Sequence, residues 1–124
     1  MSTPLYQLRV SYVGQYVADY LRENKLILFA APVPQDIADY CVVHQPGELS
    51  GALLPGQTLN INQHIYRITA VGNVATANLK ELGHITLNFD GAIEAEFPGM
   101  VHLAGQIPET IEPNDLFYFH QQLN

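Results

Sequence analysis

Apolar and polar positions alternate over several short stretches of the chain, which is the pattern of half-buried β-strands. In the first stretch, residues 5–13, Tyr6, Leu8, Val10 and Tyr12 fall on one face. Further stretches with strand character cover residues 25–31, 40–44, 59–61, 64–71, 84–89, 100–104 and 116–120. The pattern therefore predicts about seven or eight strands.

Helical spacing appears between some of these strands. Tyr16, Val17, Tyr20 and Leu21 recur at the spacing of one helix face, which predicts a short amphipathic helix over residues 16–23. Residues 73–83 predict a second helix, because Asn73 is a suitable N-cap and Gly83 a suitable C-cap. Residues 36–39 are compatible with a single helical turn.

Gly and Pro turns separate the short strands at regular intervals, and no internal repeat or linker is evident. This arrangement is typical of an antiparallel barrel or sandwich. We therefore expect an all-β, antiparallel barrel-like or sandwich fold with one or two short helices. Residues 1–124 are expected to form a single domain, a usual length for one.

Composition narrows the function classes. Five Lys and Arg residues against twelve Asp and Glu give a net charge of −7, which argues against nucleic-acid binding. The N-terminus has no basic and apolar signal pattern, and no apolar run approaches the ~20 residues of a membrane span. The single cysteine, Cys41, allows no internal disulfide and lies in an apolar run, so we expect a buried core residue. A cytoplasmic location is expected.

The stretch from Tyr40 to Leu49 carries the strongest indication of chemistry. A short apolar strand ends at His44 and runs into the turn-forming pair Pro46-Gly47. A histidine at this point would be positioned by a strand but exposed at a loop. We interpret His44 as a candidate nucleophile on this basis.

Five histidines also raise the possibility of a metal-dependent enzyme. The chain has no His-x-His pair, no His-Glu-x-x-His and no Cys-x-x-Cys, so the usual ligand spacings are absent. Glu94 and Glu96 share one face of an extended segment and are interpreted as solvated. No metal and no cofactor are expected.

Several segments, in order along nearly the whole chain, resemble the glucitol/sorbitol-specific IIA component of the bacterial phosphoenolpyruvate-dependent sugar phosphotransferase system. Together these segments are more specific than any one short motif. The segments that carry the resemblance are residues 41–44 (CVVH), 47–53 (GELSGAL), 55–56 (PG), 69–72 (TAVG), 78–84 (NLKELGH), 89–91 (FDG) and 94–102 (EAEFPGMVH).

The resemblance implies a phosphotransferase-system IIA component that works through a phosphohistidine intermediate. His44 aligns with the family's phosphorylated histidine and would accept the phosphoryl group from HPr, the histidine phosphocarrier. It would pass the group to a cysteine of the IIB domain of the IIB/IIC glucitol permease, at the inner face of the membrane. Some relatives carry a second histidine where this chain has Pro46, so a two-histidine relay in this loop is excluded.

Three further residues are expected to support His44. Glu48 and His102 are candidates to bind its second ring nitrogen, and the turn amides around Gly47 could cradle phosphoryl oxygens. The residues do not distinguish the two ring nitrogens as the acceptor, nor do they indicate an oligomeric state. The alternative function is a non-catalytic regulatory or small-ligand-binding module of the same fold.

Overall fold

In the computed structural model, which describes residues 4–121, eight strands close into one barrel. The strands are β1 (Tyr6–Val13), β2 (Lys25–Ala30), β3 (Val42–His44), β4 (Thr58–Ile61), β5 (His64–Val71), β6 (Ile85–Asn88), β7 (Met100–Ala104) and β8 (Leu116–His120). The described part of the chain also contains three short helices, each between two strands: α1 (Val17–Leu21), α2 (Gln35–Ala38) and α3 (Ala75–Leu82). The predicted all-β barrel-like fold is confirmed, and α2 is the additional helical turn.

Two of the neighbouring strand pairs run parallel. Around the barrel the order is β1-β3-β2-β6-β7-β5-β4-β8. Six neighbouring pairs are antiparallel, whereas β2–β3 and β6–β7 are parallel. The barrel is therefore mostly antiparallel, as expected, and its two parallel pairs could not be predicted, because alternation in a sequence reports which face a residue occupies and not the direction of the neighbouring strand.

The barrel contains two similar halves, although no internal repeat is evident in the sequence. β1, α1, β2 and β3 are arranged like β5, α3, β6 and β7, and each parallel pair belongs to one half. Gly14 follows β1 and donates its N–H to the carbonyl of Cys41, while Gly72 follows β5 and donates to that of Met100. The match in sequence is limited to a few positions around these glycines, which is why composition and spacing did not reveal it.

Alternate side chains from the strands fill the barrel interior. The fully buried residues there include Leu26, Leu28, Leu59, Ile68, Leu87, Leu103, Phe117 and Phe119. Each such side chain contributes roughly 1.5–3 kcal/mol by its removal from water. Val42 of β3 belongs to this core, so one face of that short strand is held against the barrel interior.

A smaller cluster lies outside the barrel wall. Ala38, Cys41 and Val43 form it, packed against Phe29 and other partly buried apolar side chains. Cys41 is 2% exposed, and burial raises the pKa of its thiol to about 11. The expectation that Cys41 is a buried core residue is confirmed. A buried thiol that keeps its proton is also unreactive.

None of the helices in the described part of the chain combines the length and the apolar character needed to cross a membrane.

The two equivalent glycines generate a prediction about stability. A Cβ atom would lie 2.2 Å from the Ala38 carbonyl oxygen at Gly14 and 2.1 Å from the Pro98 oxygen at Gly72. Gly14→Ala and Gly72→Ala should each lower the free energy of unfolding by about 1–3 kcal/mol or more, because backbone must shift. Urea denaturation followed by circular dichroism measures the change.

Gly99→Ala is the matched control. Its Cβ would meet only the Asn78 side-chain nitrogen at 3.4 Å, so the change should stay within about 0.5 kcal/mol. Equal stability losses at Gly14, Gly72 and Gly99 would contradict the steric account.

Candidate functional site

His44 lies at the C-terminal end of β3, and the interpretation that its side chain is exposed is wrong. Its exposed fraction is 0%. The ring lies on the same face of β3 as Val42, which belongs to the barrel core. Residues 45–48, which follow directly, are exposed, so the ring lies immediately beneath an irregular surface segment. A turn-forming sequence indicates where a strand ends and not whether the next segment covers the last side chain.

Both ring nitrogens of His44 face backbone carbonyls. Nδ1 lies 2.8 Å from the carbonyl oxygen of Gln45, and Nε2 lies 2.9 Å from that of Gly83. A neutral imidazole has one N–H, so it can donate to only one of these acceptors at a time. Burial lowers the pKa of His44, and the two carbonyls act more weakly in the opposite direction. The neutral ring therefore carries an unprotonated nitrogen beside a carbonyl oxygen.

Gly83 was predicted from the sequence only as a helix C-cap, but its carbonyl also contacts His44 in the candidate site. It ends α3 in the left-handed conformation, with φ +61°. A Cβ atom there would lie 2.4 Å from the Cβ of Ala30 and 3.0 Å from Cε1 of His44. Glycine therefore both ends the helix and lets its last carbonyl reach the imidazole. Only the first of these roles is visible in the sequence, because the two residues are 39 positions apart.

Tyr6 is a second residue of the site that was not predicted from the sequence. Its ring meets that of His44 edge to face, with centroids 6.2 Å apart and an interplanar angle of 88°. Its hydroxyl oxygen accepts a hydrogen bond from the Gly47 N–H at 3.3 Å, and the side chain is 1% exposed. Burial raises the pKa of Tyr6, against the weaker effect of the Gly47 bond, so the hydroxyl keeps its proton.

A cleft of about 220 Å³ lies above these residues, between the last turn of α3 and the turn after His44. Its lining includes Tyr6, Ala30, Pro46, Gly47 and residues 79–83. We call it the α3 cleft. Two of its lining residues, Tyr6 and Gly83, lie against the His44 ring, and a third, Ala30, pairs with His44 across β2 and β3, so the ring lies beneath the cleft.

A second cleft of about 200 Å³ lies on the other side of Pro46 and is lined by Gln7, Arg9 and Gln45 among others. A larger one, of about 440 Å³, is lined by His64, Tyr66, Glu109 and neighbouring residues. That larger cleft is lined by none of the four residues predicted for the site, His44, Gly47, Glu48 and His102. It is therefore separate from the candidate site in spite of its size.

Glu48 and Gly47 lie in the surface segment beside the α3 cleft. Both line a shallow neighbouring cleft of about 420 Å³ together with Leu49, Ser50 and Lys80. Glu48 is exposed, and the ring nitrogens of His44 contact carbonyls and not its carboxylate. The structure therefore brings Gly47 to the site through Tyr6, and places Glu48 at its margin.

His102 lies elsewhere in the barrel. It is on β7, and β2 and β6 lie between β7 and the strand of His44. Its Nε2 accepts the N–H of Glu96 at 3.0 Å, which leaves Nδ1 to donate to Asp90 Oδ1 at 2.7 Å. The pKa of Asp90 is lowered: burial acts to raise it, but the Ala92 N–H and His102 outweigh burial. The structure thus joins His102 to the β6–β7 connection and not to His44.

Within residues 4–121, no group of three His, Cys, Asp or Glu side chains is close enough together to hold a metal ion.

Comparison with known proteins identifies the family of the chain. Residues 5–117 match the family model of the PTS system glucitol/sorbitol-specific IIA component. PTS system glucitol/sorbitol-specific EIIA components from Shigella flexneri and Escherichia coli K12 are each 48% identical to the chain over 117 residues, covering 94% of it and 95% of each relative.

The comparison of folds also finds a phosphotransferase-system IIA component. A crystal structure of a PTS system IIA component from Enterococcus faecalis V583 superimposes with a TM-score of 0.77 at 25% identity, over 90% of this chain and 96% of that one. The match therefore extends over most of both chains. The chain belongs to the glucitol/sorbitol-specific IIA family of the phosphotransferase system.

Proposed function

We propose that this protein acts through a phosphohistidine at His44 in the uptake of a sugar alcohol such as glucitol. Membership of the family already supports a phosphoryl-carrier role in sugar-alcohol uptake. In the proposal, His44 takes the phosphoryl group from phosphorylated HPr and passes it to a cysteine of the IIB domain of the permease. Residues 1–124 act as one IIA-type domain, which is cytoplasmic and meets the IIB/IIC permease transiently at the inner membrane face.

The observation that carries the proposal is the pair of carbonyls at the His44 ring. A phosphoryl acceptor must present an unprotonated nitrogen, and the depressed pKa keeps the ring neutral near pH 7. The remaining N–H must be fixed on an acceptor so that the ring keeps one orientation. One carbonyl serves this purpose, and the other is beside the nitrogen that reacts. This geometry favours a carrier over a non-catalytic module.

Nε2 is the nitrogen that we assign to the phosphoryl group. Nδ1 is bonded to the carbonyl of Gln45, the next residue in the chain, so the two move together. Nε2 contacts Gly83 on a separate element, and Gly83 lines the α3 cleft. Separation of the ring from Gly83 would therefore free Nε2 at the cleft while Nδ1–H stays on Gln45.

The transfer requires no redox partner and no net change in protons. The P–N bond of the donor phosphohistidine breaks, and its electron pair stays on the donor imidazole. The phosphoryl group bonds to the lone pair of His44 Nε2. In the second transfer a cysteine thiolate attacks phosphorus, and the electron pair of the P–N bond returns to His44. Enzymes accelerate such steps mainly by positioning and charge stabilisation.

Burial of His44 means that the site must open before a donor can reach it. Residues 45–48 are exposed and belong to no strand or helix, so their movement would disturb little of the core. β3 and the end of α3 are packed against the barrel, and their buried residues Val42 and Leu79 belong to its main cluster. Opening is therefore expected on the side of the surface segment.

The first test replaces the nucleophile. His44→Gln keeps a polar side chain that can bond one carbonyl but has no imidazole nitrogen, so phosphorylation by phosphorylated HPr should be abolished. The protein is incubated with phosphoenolpyruvate, enzyme I and HPr, and intact mass is measured before and after acid treatment. The unmodified chain should gain one acid-labile phosphoryl group.

His64→Gln is the matched control, because His64 is exposed at the start of β5. It should be phosphorylated like the unmodified chain. Full phosphorylation of a folded His44→Gln protein would refute the assignment. His44→Ala is less suitable, because it leaves buried carbonyls without a partner, at a cost of about 1–3 kcal/mol.

A second prediction concerns the protonation of His44. Its imidazole should titrate with a midpoint below the ordinary histidine value of about 6.5, because burial disfavours the charged ring. The unfolded chain then binds the extra proton more readily. The stabilising contribution of the neutral ring is therefore complete above about pH 6.5 and is lost as the pH falls toward the folded value. Nitrogen-15 NMR of the imidazoles measures the midpoint.

The same titration on His44→Gln identifies the signal by its disappearance. A midpoint above 6.5 would mean that the two carbonyls outweigh burial, and a midpoint above about 7 would make the ring mainly an imidazolium at neutral pH, which has no lone pair for phosphorus.

A further inference from the structure

The α3 cleft contains two polar groups that the role of His44 alone does not use. One is the hydroxyl of Tyr6, which is 1% exposed and accepts a hydrogen bond from Gly47. Its own hydrogen is donated to no acceptor among residues 4–121. A buried hydroxyl usually donates its proton, so one that lines a cleft with its hydrogen free is a ready donor for a ligand oxygen.

The second group is the ammonium of Lys80. Lys80 is exposed in the last turn of α3, and it lines both the α3 cleft and the shallow cleft beside residues 47–50. It is the one Lys or Arg among the residues that line the α3 cleft. The chain has only five such residues and a net charge of −7, so an anion on His44 would otherwise meet a largely negative surface.

We propose that the α3 cleft is the oxyanion subsite for the phosphoryl group on His44, with the Tyr6 hydroxyl and the Lys80 ammonium as its ligands. This inference rests on the proposed phosphorylation of His44. Tyr6 packs against the His44 ring, and Nε2 contacts the carbonyl of Gly83; both residues line the cleft. A phosphoryl group on Nε2, once the ring has separated from Gly83, therefore enters the cleft. Tyr6 donates to one oxygen, and Lys80 neutralises the others.

Other charges around the cleft bear on this role. Glu81 lines the α3 cleft and Glu48 the shallow one, and both are exposed. The C-terminus of α3 also carries partial negative charge. These groups all repel an oxyanion, which makes the single cation more important for binding it. Lys80 also counters the helix dipole, and the test must separate this structural effect from anion binding.

The test compares single-turnover phosphorylation by excess phosphorylated HPr among matched variants. Lys80→Met and Tyr6→Phe should each slow transfer by about tenfold or more, since loss of one oxyanion donor commonly costs 10²–10³ in rate. Lys80→Arg should retain most of the rate. Lys25→Met is the charge-matched control: Lys25 lies on β2 five residues before Ala30, the partner of His44, or roughly 17 Å along the strand.

A second readout reports the anion directly. Phosphorus-31 NMR of the phosphorylated protein gives the pH at which the phosphoryl group loses its last proton. Lys80→Met should raise this midpoint, because the cation favours the dianion, and Lys25→Met should leave it unchanged. Glu81→Gln, which removes a repelling charge, should not slow transfer. A purely structural role of Lys80 at the end of α3 would not move the phosphoryl midpoint.

The outcomes separate the two proposals. If the unmodified chain is phosphorylated at His44 but Lys80→Met and Tyr6→Phe react within twofold of it with an unchanged midpoint, the subsite is refuted and the carrier function stands. If the unmodified chain accepts no phosphoryl group from HPr, both proposals fail.

Discussion

The proposed chemistry depends on one imidazole, that of His44, held between two backbone carbonyl oxygens. A neutral histidine has a single N–H, yet His44 has acceptors on both ring nitrogens, from Gln45 and Gly83. One contact is therefore a hydrogen bond, and the other is a lone pair beside an oxygen. In the resting site the ring is held in one orientation, and its unprotonated nitrogen lies beside a carbonyl oxygen that repels its lone pair. That ground state suits the proposed role of His44, which is to accept and release a phosphoryl group repeatedly.

The barrel topology explains how the two carbonyls come together. Gln45 follows His44 in the first half of the barrel, whereas Gly83 ends the helix of the second half. The antiparallel β2–β6 pair joins the halves, and Ala30 at the end of β2 lies against both His44 and Gly83. His44 in one half is thus contacted by a helix end from the other. Neither half alone would supply both acceptors.

The repeat also explains the different surroundings of the two buried histidines. In β5–β7, His102 pairs with Ala70 next to a bulge, as Val43 pairs with Tyr12 in β1–β3. His102 therefore corresponds to Val43 and not to His44. Its nitrogens are saturated by Asp90 and the Glu96 N–H, so it has no free lone pair. It fixes the β6–β7 connection, a structural function that its sequence context did not distinguish from a catalytic one.

Much of the fold could be predicted because alternation and turn residues act locally. The strand positions, the two longer helices and the buried Cys41 follow from such patterns. The burial of His44, the parallel pairs and the contributions of Tyr6 and Gly83 could not be predicted in this way. Each depends on residues about 40 positions apart or on strand direction, which local patterns do not encode. The family resemblance pointed to His44, but it carried no information on what surrounds the ring.

The most direct measurement identifies the phosphorylated nitrogen in this protein. After phosphorylation by HPr, chains labelled with nitrogen-15 in histidine are analysed by NMR for phosphorus–nitrogen coupling within the imidazole of His44. The account predicts phosphorus on Nε2, with the proton of Nδ1 still protected by the carbonyl of Gln45. Phosphorus on Nδ1, or on a residue other than His44, would contradict the account.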